Sequence, residues 1–290
     1  MNGTEMARRY RVFCWAVPLI CIQWLAFALL DPEAGGAAFR CANHGFMFGT
    51  LFGQTTLAAS WTALGPGPLR WRLPLSLLWI ASLPAAIAIS GCVHQHSAGS
   101  EDLLVIGVCV FGQWMIAQAP LWALAIWFGL RLHHADDPAD RPDHRKRQFG
   151  IRHLMLITVL VAVIFSIGRT MVGDLRGFAP WTVDMMKFFS FLALATIVLP
   201  LPLLLAALLP RLAIPVVLLV LTLIGFATIW EFALLDVLLG ARALRTVDLG
   251  SINAFTAVTI LAAAVVLRLN GYRIAVGIGS PSLCGKTIPA

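Results

Sequence analysis

Residues 103–130 read LLVIGVCVFGQWMIAQAPLWALAIWFGL, with no charged side chain anywhere in the run. Wound as an α-helix at about 1.5 Å per residue, this run is long enough to cross a hydrocarbon layer about 30 Å thick. Hydrocarbon gives a backbone no water to bond to, so such a run must satisfy its own N–H and C=O groups, and a helix does that. Gly107, Gly112 and Pro120 would weaken a soluble helix but are ordinary in a membrane one.

Working outward, comparable apolar runs cover residues 12–30, 45–64, 73–91, 154–168, 188–209, 212–230 and 252–267. Chain breakers separate them: Asp31-Pro32, Gly65-Pro66-Gly67-Pro68, Ser97-Ala98-Gly99-Ser100 and Pro210-Arg211. The expected fold is therefore all-α, a polytopic transmembrane helical bundle of about eight spans. The fifth run is short, bounded by His153 and Arg169, and spans only if Arg169 reaches the outer interface or the bilayer thins. If it does not span, the count is seven and every later loop changes side.

Composition agrees with the runs. The 290 residues are 59% hydrophobic and 12% charged, with mean hydropathy +0.85. A soluble core cannot absorb that much apolar surface. The net charge of +7 points to the anionic cytoplasmic leaflet as the chain's partner, not to nucleic acid, because no basic stripe is interleaved with aromatics. Arg8, Arg9 and Arg11 precede a first run longer than a signal-peptide core, which reads as an uncleaved span.

Basic residues orient the chain. With a cytoplasmic N-terminus in an inner membrane, the first half leaves Arg8, Arg9, Arg11, Arg70, Arg72, Arg131, Arg141, Arg145, Lys146, Arg147 and Arg152 inside. Only Arg40 lies outside. The second half has no such bias: Arg211, Arg268, Arg273 and Lys286 inside face Arg169, Arg176, Lys187, Arg242 and Arg245 outside. The resulting organisation is a four-helix half over 1–130, a charged cytoplasmic linker over 131–152, a second four-helix half over 153–270 and a short cytoplasmic tail over 271–290. Phe52-Gly53-Gln54 recurs as Phe111-Gly112-Gln113, each with a Trp following (Trp61, Trp122). Duplication of a helix pair and chance matching both explain the recurrence.

The segment Gln148-Phe149-Gly150-Ile151-Arg152-His153-Leu154-Met155-Leu156-Ile157-Thr158, running on through Val161-Ala162 to Arg169, resembles a recurring segment of uncharacterised bacterial multi-pass inner-membrane proteins. The stretch Trp61-Thr62-Ala63-Leu64-Gly65-Pro66-Gly67-Pro68, followed by Leu73-Pro74-Leu75-Ser76, is similar to the same group. Together they cover about a fifth of the chain. The resemblance implies a bacterial inner-membrane location and a fifth span. It implies no activity.

Four sets of residues are candidates for chemistry. Cys41 and His44 precede the second span's apolar run, and Cys92, His94 and His96 follow the third, all on the outer face. Their spacing suits zinc or copper; a Cys41–Cys92 disulfide or loop residues that never meet are the competing readings. Asp136-Asp137-Pro138-Ala139-Asp140 has the D-D-x-x-D form of a prenyltransferase magnesium site, but it lies in a proline-broken linker without a second aspartate motif. Gln54, Gln113 and Gln118 (with Gln23, Thr55, Thr56 and Ser60) sit at membrane depth, where amides glue helices together or line a polar path. Glu231 and Asp236 follow Trp230 at the end of the seventh run; a shift of that helix toward Gly240 would bury Glu231, with Arg242 and Arg245 as pairing partners, and an interfacial acid and base pair outside the bilayer is the competing reading. Pro84, Pro120, Pro200 and Pro202 mark kinks or a broken helix of the transporter kind.

No phosphate-binding loop, H-E-x-x-H or G-x-S-x-G motif is present, and no cofactor is expected. Three functions remain: a non-catalytic structural or assembly protein, a transporter or permease, and a membrane enzyme of prenyltransferase or metal-dependent type. The weight falls on the first.

Overall fold

The computed structural model describes residues 37–66, 68–93, 100–127, 129–134, 214–239 and 246–275, most of 191–208, and isolated positions between 18 and 25. The first run at 12–30 lies almost wholly outside these residues. The fifth run at 154–168, the segment 148–169, Asp136, Asp137, Asp140, His94, His96, Arg242 and Arg245 lie outside them altogether. The described chain is mostly helical. Its helices are α1 (Ala37–Leu64), α2 (Leu69–Val93), α3 (Ser100–Trp127), α4 (Pro200–Leu208), α5 (Ile214–Leu239) and α6 (Thr246–Leu269). Two short strands complete it, β1 (Arg131–His134) and β2 (Tyr272–Ala275).

Within these helices Leu69–Ser90, Leu103–Trp127 and Asp248–Leu269 are long and apolar enough to cross a membrane. The protein is a membrane protein by this measure. Helix α1 is equally long but far more polar, and the packing explains why. It sits at the centre, against α6 and α3 most extensively and α2 next. Shielded from lipid by its neighbours, it carries Asn43, Gln54, Thr55, Thr56, Ser60 and Thr62 fully inside the protein. Their hydroxyls bond back to their own helix: Thr55 Oγ1 donates to the Leu51 carbonyl at 2.8 Å, Thr56 to Phe52 at 2.9 Å, Ser60 to Thr56 at 2.6 Å and Thr62 to Ala58 at 2.9 Å. The large apolar side chains take the opposite place. Leu78, Trp127, Leu218, Leu221, Ile229 and Leu269 are exposed, a surface that only lipid or another protein would cover without cost.

Among the described elements, α1 and α6 share the most extensive contact. Gly45, Gly49 and Gly53 form a stripe one helical turn apart on α1. A Cβ on Gly49 would stand 2.5 Å from the Ile252 carbonyl oxygen, and one on Gly53 would stand 2.8 Å from the Thr259 Cβ. Only glycine lets the two backbones approach this closely. Hydroxyls line the gap: Thr256 Oγ1 lies 3.1 Å from the Gly49 carbonyl oxygen and 2.8 Å from that of Ile252, and Ser251 Oγ lies 3.2 Å from the Cys41 carbonyl oxygen and 2.8 Å from that of Asp248, so each proton is shared between α1 and its own helix. Phe46 and Phe255 meet edge to face, centroids 5.4 Å apart. The contacts advance together, Cys41 with Ser251, Gly49 with Thr256 and Gly53 with Thr259, so α1 and α6 run parallel.

Helices α3 and α6 end alike. Each is followed by a glycine with positive φ, Gly129 at 62° and Gly271 at 77°, a conformation that side-chain-bearing residues rarely adopt. Each glycine turns the chain into a strand, and β1 pairs antiparallel with β2, Leu132 opposite Ile274 and His134 opposite Tyr272. Leu130, Leu132, Tyr272 and Ile274 face the core while Arg131 and Arg273 face out. The ribbon thus joins the start of the sequence-defined linker to the start of the sequence-defined tail.

Pro74, Pro84 and Pro120 lie inside continuous helices. Helix α4 begins at Pro200; near it the Leu199 amide bonds to the Ala195 carbonyl and the Leu203 amide to the Leu199 carbonyl.

Candidate functional site

Gln54, Gln113 and Gln118 lie where α1, α2 and α3 meet. Gln54 is 3% exposed and accepts a hydrogen bond from Trp79 Nε1 at 3.0 Å. Gln113 is 2% exposed and donates from Nε2 to the Phe52 carbonyl at 3.3 Å. The two Phe-Gly-Gln copies therefore touch, on α1 and α3. Between them Trp114, wholly buried, donates from Nε1 to Ser76 Oγ at 2.8 Å, and Ser76 donates to the Ala58 carbonyl at 3.2 Å. One turn on, Gln118 accepts from Trp122 Nε1 at 3.1 Å within α3. Nearer the turn Gly65–Pro68, Arg72 is buried and donates from Nη1 to the Trp61 carbonyl at 3.4 Å. It folds into the bundle instead of standing in the loop where the sequence placed it.

This is an indole-to-amide junction. Amide oxygens receive indole N–H groups, and hydroxyl protons go to backbone carbonyls. Among the described residues no hydroxyl here is presented to a base, as nucleophilic chemistry would require. Some capacity is unused: Gln113 Oε1, Gln118 Nε2 and Trp61 Nε1 are buried without a hydrogen-bond partner.

Glu231 forms a second polar spot. Helix α5 runs on to Leu239, so Glu231 lies well within it and is 3% exposed. It faces α6, while Ile229 on the same helix is 70% exposed. Asn253 Nδ2 on α6 donates to Glu231 Oε2 at 2.8 Å and to Thr228 Oγ1 at 3.2 Å. The side chain of Asp236 is outside the described residues.

Of the cysteine and histidine candidates, Cys41 and His44 lie in the first turns of α1, half-buried. The side chain of Cys92, with His94 and His96, is outside the described residues. Cys41 is a free thiol whose Sγ lies 3.8 Å from Ser251 Oγ. Partial burial raises this thiol above its ordinary value, the Asp248 carboxylate raises it further, and the Ser251 hydroxyl opposes them. Among the described residues no three His, Cys, Asp or Glu side chains gather into a metal-binding group.

The sequence pointed to the amides and to Glu231 but not to their partners. Trp79, Trp114, Ser76, Thr228 and Asn253 read as ordinary span residues. The available signal for Trp114 was its position directly after the second Phe-Gly-Gln. For Asn253 it was an amide one helix away from an isolated carboxylate.

Neither a protein-family model, nor a curated protein, nor a solved structure matches the chain.

Proposed function

We propose that the chain is an eight-span protein of the bacterial inner membrane, N-terminus in the cytoplasm, with a non-catalytic structural or assembly role. The observation that carries the role is the fate of the amides. Gln54 and Gln118 receive tryptophan N–H groups and Gln113 bonds a neighbouring backbone, the behaviour of packing residues. An amide lining a permeation path would present its polar atoms to water instead.

The even span count has two supports. Parallel packing of α1 and α6 requires an even number of crossings from one to the other. Antiparallel pairing of β1 with β2 requires the ends of α3 and α6 to lie on one side. Seven spans, with the fifth run off the membrane, would leave α1 and α6 opposed and the two strands on opposite faces. The outward Arg131 and Arg273 suit an anionic cytoplasmic leaflet.

Substituted-cysteine accessibility tests the role. Cysteine placed at 54, 113 and 118 is expected to resist membrane-impermeant thiol reagents from both sides. Labelling at these positions would favour the permease reading.

A further inference from the structure

We propose that Glu231, Thr228 and Asn253 form a site between α5 and α6 that takes up one monovalent cation, a proton or sodium. The argument begins with cost. A carboxylate inside a membrane helix must face protein and find a compensating partner, because an uncompensated charge in a low-dielectric medium is among the most expensive groups to bury. Glu231 meets the first condition, since its helix turns Phe226, Ile229 and Phe232 outward and the carboxyl inward. Among the described residues its one hydrogen-bond partner is the neutral amide of Asn253, and no basic side chain pairs with it. One amide N–H orients a carboxylate but does not cancel its charge.

The surrounding atoms are arranged as oxygen donors. The Thr228 hydroxyl proton is committed to the Ile224 carbonyl at 2.7 Å, so Thr228 Oγ1 acts at the site as an acceptor; the Asn253 amide takes one lone pair and the other is left for a cation. Asn253 bridges Thr228 Oγ1 and Glu231 Oε2 and holds them on one side of the same amide. Two carboxylate oxygens and a hydroxyl oxygen are hard ligands of the kind small alkali ions take. The same carboxyl, if it takes a proton, becomes a neutral acid and the cost of burying a charge is removed. Among the described residues, the charged groups on the helices packed against α5 are Asp248 and Arg268, both on α6; α4 has none. This site lies on a different helix pair from the indole-to-amide junction, so it stands or falls separately from the role proposed above.

The test uses the full chain in lipid nanodiscs, with Glu231→Gln and Asn253→Leu as variants. A resident proton gives the carbonyl band of an un-ionised carboxyl in infrared difference spectra at neutral pH without sodium, and Glu231→Gln removes it. Resident sodium gives instead an unfolding temperature that rises with sodium chloride and not with choline chloride, a rise lost in both variants. A carboxyl that is ionised without sodium, together with an unfolding temperature indifferent to sodium, overturns the proposal. Glu231→Gln keeps the shape and the hydrogen bond to Asn253, so a folding defect does not mask the readout. Asn253→Leu removes the sodium response if the amide organises the site, but does not weaken uptake of a proton, because the donated amide N–H favours the ionised carboxylate.

Discussion

Leu132 pairs with Ile274 across a two-stranded ribbon, and both side chains are buried. The first lies just beyond α3 and the second just beyond α6. A direct backbone ladder between them puts two segments that are remote in sequence on a single face of the bundle.

The glycine stripe of α1 predicts a sharp position dependence. Gly49→Ala puts a methyl group into the Ile252 carbonyl and the Phe255 side chain, and should cost about 1–3 kcal/mol of stability. Gly107→Ala and Gly225→Ala meet nothing within 4 Å and should be neutral or slightly stabilising. Unfolding in detergent or nanodiscs, followed by tryptophan fluorescence, gives the ranking. Equal effects at all three positions would show that α1 and α6 do not approach as described.

The two buried glutamines should behave oppositely. Gln54→Leu leaves the Trp79 indole N–H buried without its acceptor and should cost about 1–2 kcal/mol. Gln113→Leu gives up one long bond to the Phe52 carbonyl but also removes an unpartnered buried oxygen, and should be close to neutral. The same unfolding assay compares them.

Cys41 should be a slow nucleophile. Its raised thiol value means that the thiolate, the reactive form, accumulates only at a higher pH than for an ordinary cysteine. Its alkylation rate should therefore keep climbing with pH after a free cysteine has levelled off. Asp248→Asn removes a contribution that raises the thiol and should speed alkylation at pH 8, roughly two- to tenfold. The rate is read by mass spectrometry of peptides containing Cys41. An unchanged or slower rate in Asp248→Asn would show that the carboxylate does not act on the thiol.

These contrasts also show what the sequence could reveal. The spans at 73–91 and 103–130 were legible because lack of charge over such a length has one physical reading, and the helices observed there differ from the runs only at their ends. Helix α5 carries on past the run at 212–230, and Glu231 is buried, as an extension toward Gly240 implies. The role of α1 was not legible. Its hydroxyls and glycines mean central only once its neighbours are known, and nothing in the run at 45–64 says that Ser251 to Thr259 packs against it. The ribbon was invisible for a related reason: Arg-Leu-His-His and Tyr-Arg-Ile-Ala are too short to signal strands, and their pairing depends on two helices ending at the same level. The tryptophans escaped notice because indole N–H groups are quiet in a sequence rich in Trp until an amide stands opposite one.

We propose that the ends of α3 and α6 share one face of the membrane, the cytoplasmic one. This is tested most directly by single cysteines at Arg131 and Arg273 in a background stripped of native cysteines, probed with a membrane-impermeant maleimide. Both should be labelled in inverted inner-membrane vesicles and protected in intact cells. Labelling of one from each side would contradict the ribbon and the even number of crossings together.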